Sequence, residues 1–259
     1  MTPRTVEKIS VVVVVAVLGA ALAVNVRGAP VALLLGALVI TVSAGMDLVL
    51  RGEARYHPTP DLFILPAAVV VGGVLFISLL SSGVSIVLGL AALAALIFAV
   101  FWAEFASLSG RAQRGAAERR GPRAMLAAVG YLAAFLLYAA IYQSKARSLF
   151  SAPAIIVLTF LLALRQLRLA PEPPSWPKAA VYGGLVALAA GEVTWALNYW
   201  PLNGVLGGAF LLAAFYFLLG VFSHHLQGRL TVRLLAEYGA VCAASVLAIT
   251  AAGLLRRGL

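Results

Sequence analysis

Acidic residues inside long apolar stretches are the first candidates for chemistry in this sequence. Asp47, Glu104, Glu192 and Glu237 fall in or near such stretches. A charged side chain inside a bilayer costs about 2.5–3.5 kcal/mol on insertion scales, so it needs a reason to be there. Glu192 lies deepest, roughly 12 Å from the nearer end of its stretch at the helical rise of 1.5 Å per residue. We expect it to face the bundle interior or an aqueous cavity, as a coupling carboxylate, a ligand contact or an acid that fixes helix packing.

Polar and aromatic residues accompany Glu192. Trp195 and Tyr199 follow it at i+3 and i+7, which places them on one helix face, with Asn198 beside that face. Tyr138 and Tyr142 belong to another stretch at a comparable depth. Together these side chains predict a pocket for a cation, a sugar or a lipid headgroup, and an aromatic belt at the membrane interface is the alternative. The candidates for substrate or coupling roles are Glu192, Trp195, Asn198, Tyr199, Tyr138 and Tyr142.

A second set of candidates lies near the opposite ends of the apolar stretches. Asp47, Glu104 and His225 are the residues that could form an acid–base group for an intramembrane enzyme. The alternative is that each is an interfacial residue, paired with a loop arginine or lying near lipid phosphates. The sequence has no CxxC, HExxH or P-loop motif, so it predicts no metal site and no cofactor.

The elements that position these residues are predicted to be membrane-spanning helices. The 259-residue chain is 63% hydrophobic and only 11% charged, whereas soluble domains carry about 25% charged residues. Apolar blocks of about 20 residues match the thickness of a bilayer, where only helices and closed barrels satisfy the backbone. We therefore predict an all-α transmembrane bundle, in one integral membrane domain over 1–259. Its nine spans are predicted near 9–26, 30–50, 61–80, 84–107, 124–143, 149–167, 179–200, 201–223 and 232–255.

The distribution of basic residues predicts the topology. With nine spans, 14 of the 19 lysines and arginines fall on the side of the N-terminus. The positive-inside rule makes that side cytoplasmic, so the N-terminus is predicted inside and the C-terminus outside a plasma membrane. The first stretch is interpreted as a retained span and not a cleaved signal peptide. The whole chain has a net charge of +10. We assign this charge to contacts of the basic loops with anionic lipids, and not to binding of nucleic acid.

The spacing of the spans indicates an internal repeat. Corresponding boundaries in the ranges 9–107 and 124–223 are separated by about 115 to 118 residues. This predicts two four-helix halves in parallel orientation, with 232–255 as an extra span. Evenly spaced helical hairpins would produce the same offset, so both interpretations stay open.

One region of the sequence is similar to a known group of proteins. The run from Glu192 to Pro201, the pair Gly207–Gly208 and the run from His225 to Leu230 resemble a pattern in uncharacterised bacterial multi-pass integral membrane proteins. The resemblance covers the C-terminal third of the chain. It implies a bacterial membrane location and carries no activity.

Three functions fit these observations. The first is a transporter or channel for a small solute or lipid that uses Glu192. The second is an accessory or scaffold subunit of a larger membrane complex, or a homo-oligomer, since few polar groups lie inside the spans and glycines favour close helix packing. The third is an intramembrane enzyme acting on a lipid-linked substrate, for which the sequence supplies no catalytic motif.

Overall fold

The chain is folded into α-helices throughout the part that the computed structural model describes, which is residues 3–26, 28–51, 59–108, 120–144, 148–170, 172–200 and 202–255. Within these ranges there are nine helices and no strand, which confirms the predicted all-α fold. The helices are α1 (Pro3–Asn25), α2 (Ala29–Leu50), α3 (Asp61–Ile77), α4 (Gly83–Leu108), α5 (Arg120–Gln143), α6 (Ser148–Arg168), α7 (Trp176–Leu197), α8 (Gly204–Leu226) and α9 (Val232–Leu255).

Eight of these helices are long and apolar enough to cross a membrane, so the chain is a multi-pass membrane protein. The exception, α3, has 17 residues, which is about 26 Å at the helical rise. It ends before the predicted limit of residue 80, and the Ser78 hydroxyl donates to the Leu75 carbonyl oxygen (2.7 Å) at its end. Eleven residues of α3 are buried, and a helix surrounded by protein need not match the bilayer thickness by itself.

The chain divides into two compact units, Met1–Ala133 and Ala134–Leu259. In unit 1 each of the helices α1 to α4 packs against the other three. Glycines permit close approach there, because Gly45 faces Val12 and Gly73 faces Leu93. This packing buries the carboxylate-bearing Glu104 of α4 to 1% exposure.

Unit 2 contains the end of α5 and the helices α6 to α9. Its tightest approach is between α5 and α8, where a Cβ atom added to Gly208 would lie 2.6 Å from the backbone nitrogen of Ala139. A glycine is therefore required at this crossing, because the two backbones touch. Helix α9 packs against α8, and only 6% of the residues in its 18-residue apolar segment are buried.

The neighbours of α5 in unit 2 match those of α1 in unit 1. The end of α5 reaches α6 through Tyr138 and Thr159, α7 through Tyr142 and Leu197, and α8 through Ala139 and Gly208. This is the arrangement that two four-helix halves at 9–107 and 124–223 would produce, and the repeat stays a prediction. The topology count also stays a prediction, because many of its arginines and lysines lie outside the described residues, including those of 109–119, 145–147 and 256–259.

Candidate functional site

Most of the predicted substrate residues lie at one end of unit 2, where α5 and α7 finish and α6 and α8 begin. We call this the Trp200 end. Tyr138 of α5 is fully buried, and its hydroxyl lies 2.8 Å from the hydroxyl of Thr159 on α6. Its ring packs edge-to-face on Phe215 of α8, with centroids 6.1 Å apart. Because a buried hydroxyl needs a partner, this pair fixes the position of α5 against α6.

Tyr142 and Asn198 also hold helices together at the Trp200 end. The Tyr142 hydroxyl donates to the carbonyl oxygen of Leu197 (2.7 Å) and also lies 2.9 Å from that of Trp200. The Leu197 carbonyl belongs to the last turn of α7 and the Trp200 carbonyl to the turn after it, and each also accepts a backbone amide at 2.8 Å, from Trp200 and Leu202 respectively. The Asn198 amide lies 3.4 Å from the Ser151 hydroxyl. The Tyr142 hydroxyl therefore ties the end of α5 to the end of α7, and its place in a pocket lining stays a prediction.

The sequence predicts that Glu192 faces either the bundle interior or an aqueous cavity, and the structure speaks against the first of these. Glu192 lies on the exposed side of α7, and not in the bundle interior. The reason is helical phase, because the side of α7 that carries Ala190, Gly191 and Thr194 packs inward and leaves Glu192 outside. Tyr138, in contrast, is fully buried. The roles assigned to these residues from sequence stay predictions.

The exposed residues around Glu192 follow a regular spacing along α7. Leu185, Leu188, Glu192 and Trp195 alternate steps of three and four residues, and Tyr199 continues the pattern into the turn after the helix. Their exposures are 46% for Leu185, 57% for Leu188, 56% for Trp195 and 88% for Tyr199. We call these five residues the α7 seam. Alternating steps of three and four are the spacing at which one helix packs along another.

Asp47, Glu104 and His225, the second set of candidates, which the sequence predicts on the cytoplasmic side, occupy three different environments. Asp47, near the end of α2, pairs with Arg51, the residue that follows this helix, with Nε to Oδ2 at 2.6 Å. Glu104 is buried within unit 1. His225 belongs to unit 2, where its ring lies 5.9 Å from that of Tyr182. Among the described residues, no group of three histidine, cysteine, aspartate or glutamate side chains is placed to hold a metal ion.

His225 lines a groove at the opposite end of unit 2, which we call the Trp176 end. The groove has a volume of about 450 Å³ and lies between the start of α7 and the end of α8. Sequence reasoning missed this site because Lys178 and His225 are 47 positions apart, and only the antiparallel packing of α7 on α8 brings them together. Its lining residues are Pro177, Lys178, Val181, Tyr182, His225 and Leu226.

The chain belongs to a family described as a protein of unknown function, DUF5656, whose family model matches residues 9–252. The match covers all nine helices in whole or in large part. No curated protein and no solved structure matches the chain.

Proposed function

We propose that this member of the DUF5656 family is a subunit of a membrane assembly, and that its α7 seam binds a transmembrane helix of another protein. The observation that carries the proposal is the exposed carboxylate of Glu192 at the centre of an apolar helix face. The partner helix is expected to carry a lysine, an arginine or another hydrogen-bond donor at the depth of Glu192.

The depth of Glu192 supports this proposal. It lies five residues before the end of α7 at Leu197, which is about 8 Å along the helix axis. A carboxylate facing lipid there has no water and no donor, and acids inside spans almost always face protein or a water-filled cavity. Since α7 offers Glu192 to its outer surface, a donor from another chain removes the cost of leaving it in lipid.

The residues on either side of Glu192 suit helix-on-helix packing. Leu185 and Leu188 supply branched apolar side chains, and Trp195 supplies a large amphipathic anchor of the kind that dominates binding energy at protein interfaces. The steps of three and four residues fit a left-handed crossing of about 20°. A partner helix would therefore contact the α7 seam over about three turns.

A second copy of this chain fits the seam less well than a different protein does. Two copies in the same membrane orientation would be related by an axis along the membrane normal, so α7 would pack parallel to its symmetry mate. The two Glu192 carboxylates would then face each other, and two like charges at close range oppose association unless one is protonated. Charge complementarity therefore favours a partner that supplies the donor.

Transport through this chain, the leading hypothesis from sequence, receives less support. It required Glu192 and the tyrosines of α5 to line one cavity. Tyr138 instead has no exposed surface, and the Tyr142 hydroxyl is engaged by the end of α7. For the topology we propose a cytoplasmic N-terminus, an outer C-terminus and a bacterial plasma membrane, because the basic connections cluster on one side and suit anionic lipids.

Site-specific photocrosslinking in native membranes tests the proposed function. A photoreactive amino acid is placed at Leu188 on the seam, and at Val157 on α6 as a matched control, since both are 57% exposed. We expect Leu188, but not Val157, to form an adduct with a transmembrane segment that contains a basic or donor residue. Glu192→Gln should lower the yield of that adduct about fivefold, the effect of about 1 kcal/mol in interhelical hydrogen bonding.

The same experiment has results that contradict the proposal. Adducts with lipid alone would show that the α7 seam faces lipid and binds no helix. Adducts with a second copy of the chain would show a homo-oligomer. An adduct with another protein whose yield is unchanged by Glu192→Gln would remove Glu192 from the interface.

A further inference from the structure

The groove at the Trp176 end of unit 2 brings a cation, an imidazole and a phenol to one opening. Lys178 and His225 are both exposed, and Tyr182 lies between them with its ring against that of His225. Tyr182 also packs on Phe222, with ring centroids 5.4 Å apart, which fixes its position on the α8 side. The groove therefore has an aromatic wall, with two exposed nitrogen-bearing side chains in its lining.

Two further basic residues lie next to the segments that form this opening. The Arg168 guanidinium lies 4.3 Å from the ring centroid of Trp176, the residue before Pro177 of the groove wall. Arg229 follows α8 after Gly228, whose φ of +65° ends the helix, and the Arg229 amide bonds the His224 carbonyl oxygen at 3.0 Å. A glycine in this left-handed conformation turns the chain sharply, so Arg229 stays close to the helix end.

Acidic residues at this end are fewer than the basic ones. Glu172, in the connection between α6 and α7, is exposed. Glu237 of α9 is paired with Arg233 on its own helix at 3.0 Å. A net positive opening lined by lysine, imidazole and phenol donors suits a phosphate oxygen, for which ammonium and imidazole groups are ordinary ligands.

We infer that the groove binds the phosphodiester headgroup of an anionic phospholipid. Lipid is favoured over a soluble phosphate because the opening lies at the ends of two membrane-crossing helices, where headgroups are located. The exposed side chain of Val181 and the half-buried Leu226 add an apolar flank on which the start of an acyl chain can rest. This site is separate from the α7 seam, so it does not depend on the proposed function.

Binding of short-chain lipids to the purified full chain tests the inference. Dioctanoyl phosphatidylglycerol, dioctanoyl phosphatidylcholine and inorganic phosphate are each titrated against the protein in a neutral detergent, with binding read by native mass spectrometry. We expect phosphatidylglycerol to bind most tightly and phosphate not to displace it. Lys178→Ala should weaken its binding about fivefold, the effect of one lysine near a phosphate. Lys8→Ala, an exposed lysine at the start of α1, is the matched control and should leave binding unchanged.

A measurement without substitutions accompanies this titration. A photoactivatable phosphatidylglycerol is expected to label the wild-type chain at 177–182 and 225–226. Labelling elsewhere, or equal weakening by Lys8→Ala and Lys178→Ala, would overturn the site. Displacement of the lipid by inorganic phosphate alone would show a soluble anion site and overturn the assignment to lipid.

Discussion

Two sets of polar side chains on different helices of unit 2 have opposite surroundings. Tyr138 and Thr159 are buried and bond each other across α5 and α6. Glu192 and Trp195, less than one turn from the buried Thr194, are exposed on α7. The buried set is satisfied inside the chain, and the exposed set lies on a face that no described helix covers. A polar residue inside a span is therefore informative only once its side of the helix is known.

The buried residues should determine the stability of the chain, and the exposed residues should determine its association with other proteins. Changes to the buried set should destabilise the isolated chain, because its groups have partners within unit 2. Changes to the α7 seam should leave the isolated chain intact and alter only what it binds. The predictions below run from the largest expected effect on the stability of the purified chain to the smallest.

Gly208→Ala should destabilise the purified chain most. Its new Cβ would lie 2.6 Å from the Ala139 backbone nitrogen, so α8 must move away from α5 at a cost of about 1–3 kcal/mol. The measurement is the midpoint of thermal unfolding in detergent. Gly184→Ala is the matched control, since no atom lies within 4 Å of its added Cβ. Equal midpoints for the two variants would contradict the close α5–α8 contact.

Tyr138→Phe should have an intermediate effect. It removes the hydroxyl that lies 2.8 Å from that of Thr159, and interhelical hydrogen bonds in membranes contribute about 0.6 kcal/mol on average and up to about 1.7. The same unfolding midpoint measures the loss. Tyr199→Phe, at an 88% exposed residue, should not lower it. If both substitutions lowered the midpoint equally, the buried and exposed sets would not differ.

Glu192→Gln should change the stability of the purified chain by less than about 0.5 kcal/mol, as surface substitutions usually do. Its effect should appear instead in native membranes, as reduced recovery of the partner together with the chain. The readout is the ratio of partner to chain after affinity purification. A large drop in the unfolding midpoint would show that Glu192 has a structural role within the chain.

Glu237→Gln should change the stability of the purified chain as little as Glu192→Gln does, and unlike Glu192→Gln it should also leave recovery of the partner unchanged. Glu237 is bonded to Arg233 one turn away, and the two side chains are 57% and 89% exposed. Exposed pairs of this kind contribute about 0.3–0.5 kcal/mol. Neither the unfolding midpoint nor recovery of the partner should change measurably, which distinguishes a paired acid from Glu192. Loss of the partner in this variant would extend the interface to α9.

The helices could be predicted from the sequence to within a few residues at most of their ends, although α1 begins six residues before its predicted start, and the site could not be predicted. An apolar block of about 20 residues satisfies its backbone in lipid by forming a helix, so the block itself marks the helix. The helices α2, α5 and α9 accordingly begin and end within a few residues of their predicted limits. Which side of α7 faces inward was not readable, because Ala190 and Gly191 pack inward while the larger Leu188 and Trp195 do not. In lipid, small residues favour close helix contacts. Predicting the inward face of a helix from its largest apolar side chains therefore gives the wrong face for α7.

The groove at Lys178 shows a second limit of sequence reasoning. His225 could be singled out as a candidate from its position at the end of an apolar stretch. Its neighbours Lys178 and Tyr182 could not, because they come from a different helix. Identifying that contact requires the packing of α7 on α8, and composition and spacing do not specify which helices are neighbours.

Labelling with a lipid-soluble carbene precursor tests the central claim most directly. The reagent is applied to native membranes and to the purified chain in a lipid nanodisc, and labelling at Leu188 and Val157 is mapped by mass spectrometry. The two residues have the same 57% exposure in the isolated chain. The account predicts that Leu188 is labelled much less than Val157 in native membranes and equally after purification. Equal labelling of both residues in native membranes would show that lipid, and not a partner helix, covers the α7 seam.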